Sequence, residues 1–148
     1  MRQIDYCVGG KNIAEIAASH IMETDVISSG EETSCHDLAD SLFKRGFGSI
    51  PVIDQNRVLK GLVSEYDILN ALVNGKDLRK TSASTVMTQS VVTIKEETPI
   101  MEVIALLQAR HLIRVPVVDP EGKLIGIVAR RDILGCYYES TFGPLPSF

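Results

Sequence analysis

The sequence predicts an α/β (α+β) fold made of two β-α-β-β-α repeats packed about a pseudo-twofold axis. Residues 114–132 read RVPVVDPEGKLIGIVARRD and residues 49–67 read SIPVIDQNRVLKGLVSEYD, with identical residues recurring at a constant offset of 65. The offset holds without a gap from Ala18 to Leu69 of the first copy. In each stretch two apolar runs flank a turn and precede a charged helix start, which predicts a hairpin followed by a helix. The chain is therefore an internal duplication.

Composition limits the class of protein. The 148 residues suffice for one compact core, and shares of 45% hydrophobic and 23% charged residues are typical of globular proteins. The net charge of −4 argues against broad binding to nucleic-acid phosphates. No apolar run approaches the roughly 20 residues that span a bilayer. The three cysteines lack paired spacing and the N-terminus lacks a signal-peptide pattern, so we expect a reducing cytoplasm and no membrane.

The first copy is predicted at residues 12–75, after an irregular lead-in at 1–11. Asn12 is expected to cap a helix that reaches Ser19, followed by a strand at Val26-Ile27. The next elements are a helix at 34–45 that begins with a Ser34/Asp37 capping-box pattern and ends at Gly46, strands at 50–53 and 58–63, and a helix at 65–74 that ends at Gly75. The residues expected on the buried helix faces are Leu38, Leu42, Phe43, Ile68, Leu69, Leu72 and Val73.

After a polar connector at 76–84, the second copy is predicted at residues 85–138. A strand is expected at Val91-Val92, and Thr98 is expected to cap a helix with Pro99 at its first position. The inward residues of that helix are predicted to be Ile100, Val103, Ile104 and Leu107. The hairpin follows, then a helix from Arg130 to about Tyr138 that carries Ile133, Leu134 and Tyr137. Residues 139–148 are expected to form an irregular tail.

Four short motifs carry a resemblance to a known family. They are Val-Met-Thr at 86–88, Thr98-Pro99, Arg-Val-Pro-Val-Val-Asp at 114–119 and Gly-Ile-Val-x-x-x-Asp at 126–132. With their earlier copy, they resemble a tandem pair of cystathionine beta-synthase (CBS) domains, a Bateman module, over about residues 12–138. The resemblance implies a cleft with two related sites for adenosine-containing ligands such as AMP, ADP, ATP or S-adenosylmethionine. It also implies a homodimer that pairs through its helices.

The resemblance implies that Asp67 and Asp132 hold the ribose of the ligand. A carboxylate suits this task because its two oxygens can accept hydrogen bonds from both hydroxyls of a cis-diol. Ser64, three residues before Asp67, would give a hydroxyl and a helix-start N–H to a phosphate. The same Ser-x-x-Asp spacing also describes a plain capping box, and the residues alone leave both interpretations open because capping and binding are compatible.

The second copy departs from the first at two positions. Ala129 stands where the first copy has a serine, which removes a hydroxyl from the phosphate contact. Arg131 and Arg130 would supply positive charge at the same helix start, although a solvated helix face is the alternative and is favoured for Arg130. By resemblance, Arg114 meets phosphate in the middle of the cleft, a task that suits a guanidinium with several donors, whereas its counterpart is the neutral Ser49.

By the same resemblance, each adenine pocket mixes residues of both copies, and core packing is the alternative role of each apolar residue. The pocket beside Asp67 is expected to use Leu62, Met87, Val92, Leu112 and Ile113. The pocket beside Asp132 is expected to use Ile127, Met22, Ile27, Phe47 and Gly48. Tyr66 would stack on a base or lie on the dimer face.

These observations predict a stand-alone CBS-pair regulatory module that binds an adenosine-containing ligand and signals to a protein partner. We predict no enzyme activity, catalytic cofactor or metal, because Cys35-His36 are only sequence neighbours and no His/Cys spacing resembles a metal site. The alternative is a structural dimerisation or interaction module with an empty or vestigial cleft, which Ala129 and Ser49 favour. Nucleic-acid binding ranks third because the net charge of the chain is negative.

Overall fold

The computed structural model describes residues 13–142, with side chains described through Glu139. Its helices are α1 (Ala18–Ile21), α2 (Cys35–Arg45), α3 (Glu65–Val73), α4 (Ala83–Val86), α5 (Ile100–Ala109) and α6 (Arg130–Phe142). Its strands are β1 (Ser29–Gly30), β2 (Ser49–Ile53), β3 (Leu59–Ser64), β4 (Arg114–Val118) and β5 (Leu124–Ala129). The predictions for residues 1–12, including the Asn12 cap, and for residues 143–148 lie outside the described residues.

The chain divides into two compact units. The first unit contains residues 27–91 and 121–124, and the described part of the second contains residues 13–26, 92–120 and 125–142. Each unit therefore combines the body of one copy with the opening segment of the other copy. A unit of this kind depends on contacts between residues that are far apart in the sequence.

The first unit is built on a three-stranded sheet of order β1-β2-β3. β1 pairs with β2 in parallel and β2 pairs with β3 antiparallel, with Ile50 opposite Val63. The helices cover this sheet with a fully apolar set of buried side chains: Cys35, Leu38, Leu42, Ile50, Val52, Val63, Ile68 and Ala83. Because α3 begins at the residue that follows β3, the sheet fixes the position of the α3 start.

The second unit contains the β4-β5 pair, which confirms the predicted hairpin. Ile94 bridges Val117 in parallel, through hydrogen bonds with Pro116 (3.0 Å) and Val118 (2.9 Å). The core is again apolar, with buried residues that include Ile16, Ile21, Ile100, Val103, Leu107, Val115, Val128 and Ile133. In this unit α6 begins directly after β5, as α3 does after β3.

Backbone hydrogen bonds between the two copies also recur at the offset of 65 residues. The Ala83 N–H donates to the Thr33 carbonyl (2.8 Å), and the Ala18 N–H donates to the Thr98 carbonyl (2.9 Å). Both bonds join the opening segment of one copy to the body of the other. The duplication is therefore present in the backbone contacts as well as in the sequence.

Several predictions for short elements are wrong. The helix expected at 12–19 is interrupted, because residues 13–15 form a 3-10 turn and Ala17 is extended (φ −109°, ψ 170°) where it bridges Pro99. The strand expected at Val26-Ile27 lies at Ser29–Gly30, and no strand forms at Val91-Val92, because the backbone reaches β2 and β4 only a few residues later.

Helix α5 has Pro99, and not Thr98, as its N-cap. The Thr98 Oγ1 accepts instead from the Lys95 N–H (3.0 Å), so it stabilises the preceding turn. Helix α6 continues to Phe142, past the predicted end near Tyr138 and into the expected irregular tail.

The buried faces of three helices differ in part from the prediction. Phe43 on α2 is 88% exposed, and on α3 the exposed fractions are 54% for Leu69, 52% for Leu72 and 84% for Val73. From α3 the core takes Ile68, as predicted, and Ala71, which was not predicted. A short helix with apolar residues around most of its surface cannot bury them all against one sheet, so the remainder face outward. On α6, Leu134 and Tyr137 are exposed in the same way.

Candidate ligand-binding residues in the two copies

Ser64 and Asp67 form a closed hydrogen-bonded pair at the start of α3. The Ser64 Oγ accepts from the Asp67 N–H (3.2 Å), while Asp67 Oδ2 accepts from the Ser64 N–H (2.8 Å) and from its hydroxyl (3.0 Å). The capping box weighed in the sequence analysis is therefore present. In this capping box the Ser64 hydroxyl acts both as a donor and as an acceptor. Asp67 is half-buried, and only the Oδ2 of its carboxylate takes part in these bonds.

Asp132 occupies the equivalent place at the start of α6, without the two cap bonds that the Ser64 hydroxyl makes in the first copy. Its Oδ2 accepts from the Ala129 N–H (3.0 Å), and Ala129 has no hydroxyl to add a second bond. The residue is only 8% exposed. Burying a carboxylate costs free energy unless donors or a cation compensate its charge.

Arg114 supplies a compensating charge. The Ile113 carbonyl accepts from the Arg130 N–H (2.9 Å), so the residue before Arg114 is hydrogen-bonded to the first residue of α6. Burial lowers the pKa of the Arg114 guanidinium, and its attraction to the Asp132 carboxylate opposes that change. An arginine stays cationic in proteins, so Arg114 remains a positive charge within electrostatic range of Asp132.

The first unit has the same backbone arrangement without the arginine. The Gly48 carbonyl accepts from the Glu65 N–H (3.0 Å), and Ser49 follows at the start of β2. Gly48 adopts φ +80°, a conformation that favours glycine, and the neighbouring Phe47 is half-buried. The charged environments of Asp67 and Asp132 therefore differ although their helix starts are alike.

Two glycines allow the opening segments to approach β3 and β5 closely. Leu62 and Thr88 exchange backbone hydrogen bonds (3.0 and 2.8 Å), and a Cβ on Gly61 would lie 2.7 Å from the Met87 Sδ. The structure thus brings the predicted site residues Leu62 and Met87 together within the first unit.

The second unit repeats this contact at the offset of 65. Ile127 and Glu23 exchange backbone hydrogen bonds (2.9 and 2.8 Å), and a Cβ on Gly126 would lie 2.7 Å from the Met22 Sδ. Met22 and Ile127, both predicted for the Asp132 site, therefore lie together. From the sequence, Glu23 was not identified, and Thr88 was identified only as part of a motif and not as a site residue. Their equivalent positions, directly after Met22 and Met87, were the signal that could have identified both.

The remaining predicted site residues are divided between the units. Val92 and Leu112 pack partly buried against the core of the second unit, as the core-packing alternative expects, and Ile113 is exposed. In the first unit, Ile27, Phe47 and Gly48 are half-buried. Tyr66 and Arg131 are exposed at the second residue of α3 and α6. That each site draws on residues of both copies stays a prediction.

Other chemistry is sparse in the part of the chain that the structure describes. Residues 13–142 contain no group of three or more His, Cys, Asp or Glu arranged to hold a metal ion. None of the helices within that range is long and apolar enough to cross a membrane. Cys35 is a buried thiol whose pKa is raised by burial. Cys136 is disulfide-bonded.

The two-copy α+β fold with an aspartate at each equivalent helix start defines a tandem-repeat module. A family model for the CBS domain matches residues 18–74 and 83–139. The chain belongs to the CBS domain family and carries two CBS domains.

Curated relatives share this module. An uncharacterised protein of Methanopyrus kandleri is 29% identical over 120 residues, which cover 80% of this chain and 61% of that protein. A homoserine O-acetyltransferase of Methanosalsum zhilinae is 28% identical over 131 residues, which cover 88% of this chain but 26% of that protein. The chain spans less than two thirds of the length of these relatives, so an enzyme name among them does not carry over.

Solved structures of similar chains contain adenosine compounds. CBSX2 in complex with AMP shares 28% identity at a TM-score of 0.71, over 80% of this chain and 93% of that one. The CBS domain pair of MJ0100, in complex with 5′-methylthioadenosine and S-adenosylmethionine, shares 27% at 0.69, over 80% and 92%. The cytosolic domain of the Mg²⁺ channel MgtE, in complex with ATP, shares 29% at 0.69, over 81% and 48%.

Proposed function

We propose that this protein is a regulatory CBS pair that binds adenosine-containing ligands at two sites built around Asp67 and Asp132 and signals to a protein partner. The observation that carries the proposal is the duplicated helix start, where in both copies an aspartate follows a β-strand and accepts a hydrogen bond from the N–H of the last strand residue. Family relatives bind AMP, ATP, S-adenosylmethionine and 5′-methylthioadenosine, which supports this ligand class. Such ligands are abundant in the cytoplasm, where the proposal places the protein.

In this proposal the aspartates accept hydrogen bonds from the ribose hydroxyls. The Oδ1 of Asp67 is not used in the capping box, so a diol can bind there without breaking the cap. Leu62 with Met87, and Ile127 with Met22, supply apolar surface for the base. The partner protein would respond to the change in stability or geometry that ligand binding causes.

Thermal unfolding with a ligand panel tests the proposal. A ligand at 100 times its Kd stabilises the folded protein by about 2.7 kcal/mol, which at this chain length raises the Tm by several degrees. We expect such a rise with at least one of AMP, ADP, ATP or S-adenosylmethionine, and not with cytidine monophosphate. An unchanged Tm with all four at millimolar concentration would contradict the proposal.

A homodimer is part of the proposal. Tyr66, Leu69 and Val73 are exposed on α3, and Leu134, Tyr137 and Tyr138 are exposed on α6. Apolar patches of this kind commonly mark interfaces. We expect a dimer by analytical ultracentrifugation and a monomer for Leu69→Arg combined with Leu134→Arg. A wild-type monomer at high micromolar concentration would exclude it.

The second candidate is an interaction module that dimerises and docks on a protein without a ligand. The burial of Asp132 and the missing hydroxyl at Ala129 favour this candidate for the second copy. It predicts the same dimer but no change of Tm with any adenosine ligand. The melting panel therefore separates the two functions.

A further inference from the structure

The two equivalent helix starts carry opposite formal charge. In the first copy, positions 49, 65, 66 and 67 hold Ser, Glu, Tyr and Asp, which together are doubly negative. In the second, positions 114, 130, 131 and 132 hold Arg, Arg, Arg and Asp, which together are doubly positive. Four corresponding positions thus differ by four charges.

The backbone holds these charges in equivalent places. The Glu65 N–H bonds the Gly48 carbonyl (3.0 Å), and the Arg130 N–H bonds the Ile113 carbonyl (2.9 Å). In both copies the aspartate Oδ2 accepts the N–H of the last strand residue, at 2.8 and 3.0 Å. The two helix starts therefore share this backbone arrangement and the N–H bond to the aspartate, but they differ in charge.

The difference in charge between the two helix starts would favour different 5′-substituents on an adenosine ligand. A phosphate within a Debye length of about 8 Å of the second helix start meets three arginines and one carboxylate, a net attraction. At the first helix start it meets two carboxylates and no cation among the corresponding positions, a net repulsion. The first copy cannot offset this repulsion with Ser64, whose N–H and hydroxyl are both held by Asp67 Oδ2. An uncharged thioether or a cationic sulfonium meets no such repulsion there.

We propose that the two sites select different adenosine ligands: the Asp132 site takes a 5′-phosphorylated one, and the Asp67 site takes one whose 5′-substituent is neutral or cationic. This inference rests on the proposed function and gives each site its ligand class. It reverses the expectation that Ser64 makes the first copy the better phosphate site. A protein of this kind would respond to two different adenosine pools at once.

Calorimetric titration of the full chain with AMP and with 5′-methylthioadenosine tests the inference. Glu65 and Arg130 are exposed, so their charges can be reversed with little effect on folding. We expect Arg130→Glu to weaken AMP binding about five- to tenfold and to leave 5′-methylthioadenosine within about twofold. Asp67→Ala should abolish binding of 5′-methylthioadenosine and spare AMP, whereas Asp132→Asn should do the reverse.

The control is Arg79→Glu, which makes the same charge change at an exposed position of the connector. Equal effects of Arg130→Glu and Arg79→Glu on AMP binding would overturn the inference. So would equal losses of both ligands in each aspartate variant, although the proposed function would then stand. If the wild-type protein binds neither these two compounds nor ATP or S-adenosylmethionine, the proposed function itself is wrong.

Discussion

At the scale of single residues, Ser64 is a cap before it is a ligand contact. Ser64→Ala removes the hydroxyl's two hydrogen bonds with Asp67 and leaves the N–H bond, which is the arrangement that Ala129 already has. Loss of such a cap should lower the free energy of unfolding by about 1 kcal/mol, measured by urea denaturation. The matched control is Ser34→Ala, which removes the cap of α2 and should cost a similar amount. An unchanged midpoint for Ser64→Ala would contradict this role.

Cys35 gives the second prediction at this scale. Burial raises the pKa of its thiol, so the folded state keeps the proton at a pH where the unfolded chain, with a thiol pKa of about 8.5, has lost it. The contribution of Cys35 to stability is therefore complete below that pH and falls as pH rises toward the folded pKa, by at most about 1.4 kcal/mol per pH unit. Between pH 8 and 10, the wild type should lose more free energy of unfolding than Cys35→Ala. Parallel losses in the two proteins would contradict the assignment.

At the scale of elements, Gly61 controls how the opening segment of the second copy docks on β3. A Cβ at Gly61 would lie 2.8 Å from the Thr88 carbonyl oxygen, which belongs to the backbone and cannot rotate away. At Gly126 the nearest backbone atom is the Glu23 oxygen at 3.2 Å. Gly61→Ala should cost about 1–3 kcal/mol, and Gly126→Ala should cost less.

Chemical denaturation of the two variants checks this order. Gly30→Ala serves as the control, because its Cβ would meet its nearest atom, the Thr33 Oγ1, only at 3.8 Å. Equal costs at Gly61 and Gly30 would show that close approach of the segment does not matter.

The helices show how far sequence reasoning reaches. The caps at Ser34 and Ser64 and the stop at Gly46 were predictable because they depend on residues that are close together in the chain. The buried residues of α2 and α5 were largely predictable from their spacing, as Leu38, Leu42, Ile100 and Val103 show. On α3 only Ile68 was predicted correctly, because the apolar pattern leaves several faces available and the packing of the sheet selects Ile68 and Ala71. The capping box between Ser64 and Asp67 was one of two interpretations that the sequence left open, and the structure shows that it forms.

At the scale of the whole molecule, the duplication fixes the family and the fold class, and the compact units show how the copies depend on each other. The Cys35 N–H bonds the Thr81 carbonyl (2.8 Å), and Thr88 bonds Leu62. A fragment of residues 12–75 lacks these partners, whereas a fragment of residues 27–91 keeps them. We expect the thermal unfolding of the 27–91 fragment, followed by circular dichroism, to be more cooperative than that of the 12–75 fragment. Equal cooperativity of the two fragments would contradict the assignment of residues 27–91 to one compact unit.

The central claim, that an adenosine-containing ligand binds through the two aspartates, is tested most directly by native mass spectrometry of the full chain mixed with AMP, ATP, 5′-methylthioadenosine or S-adenosylmethionine. The proposal predicts peaks heavier by one or two ligands per chain with at least one of these compounds. It also predicts that the Asp67→Ala/Asp132→Asn double variant, confirmed as folded by circular dichroism, loses those peaks. Spectra that show only the unliganded mass with all four compounds, or full ligand retention in the double variant, would contradict it.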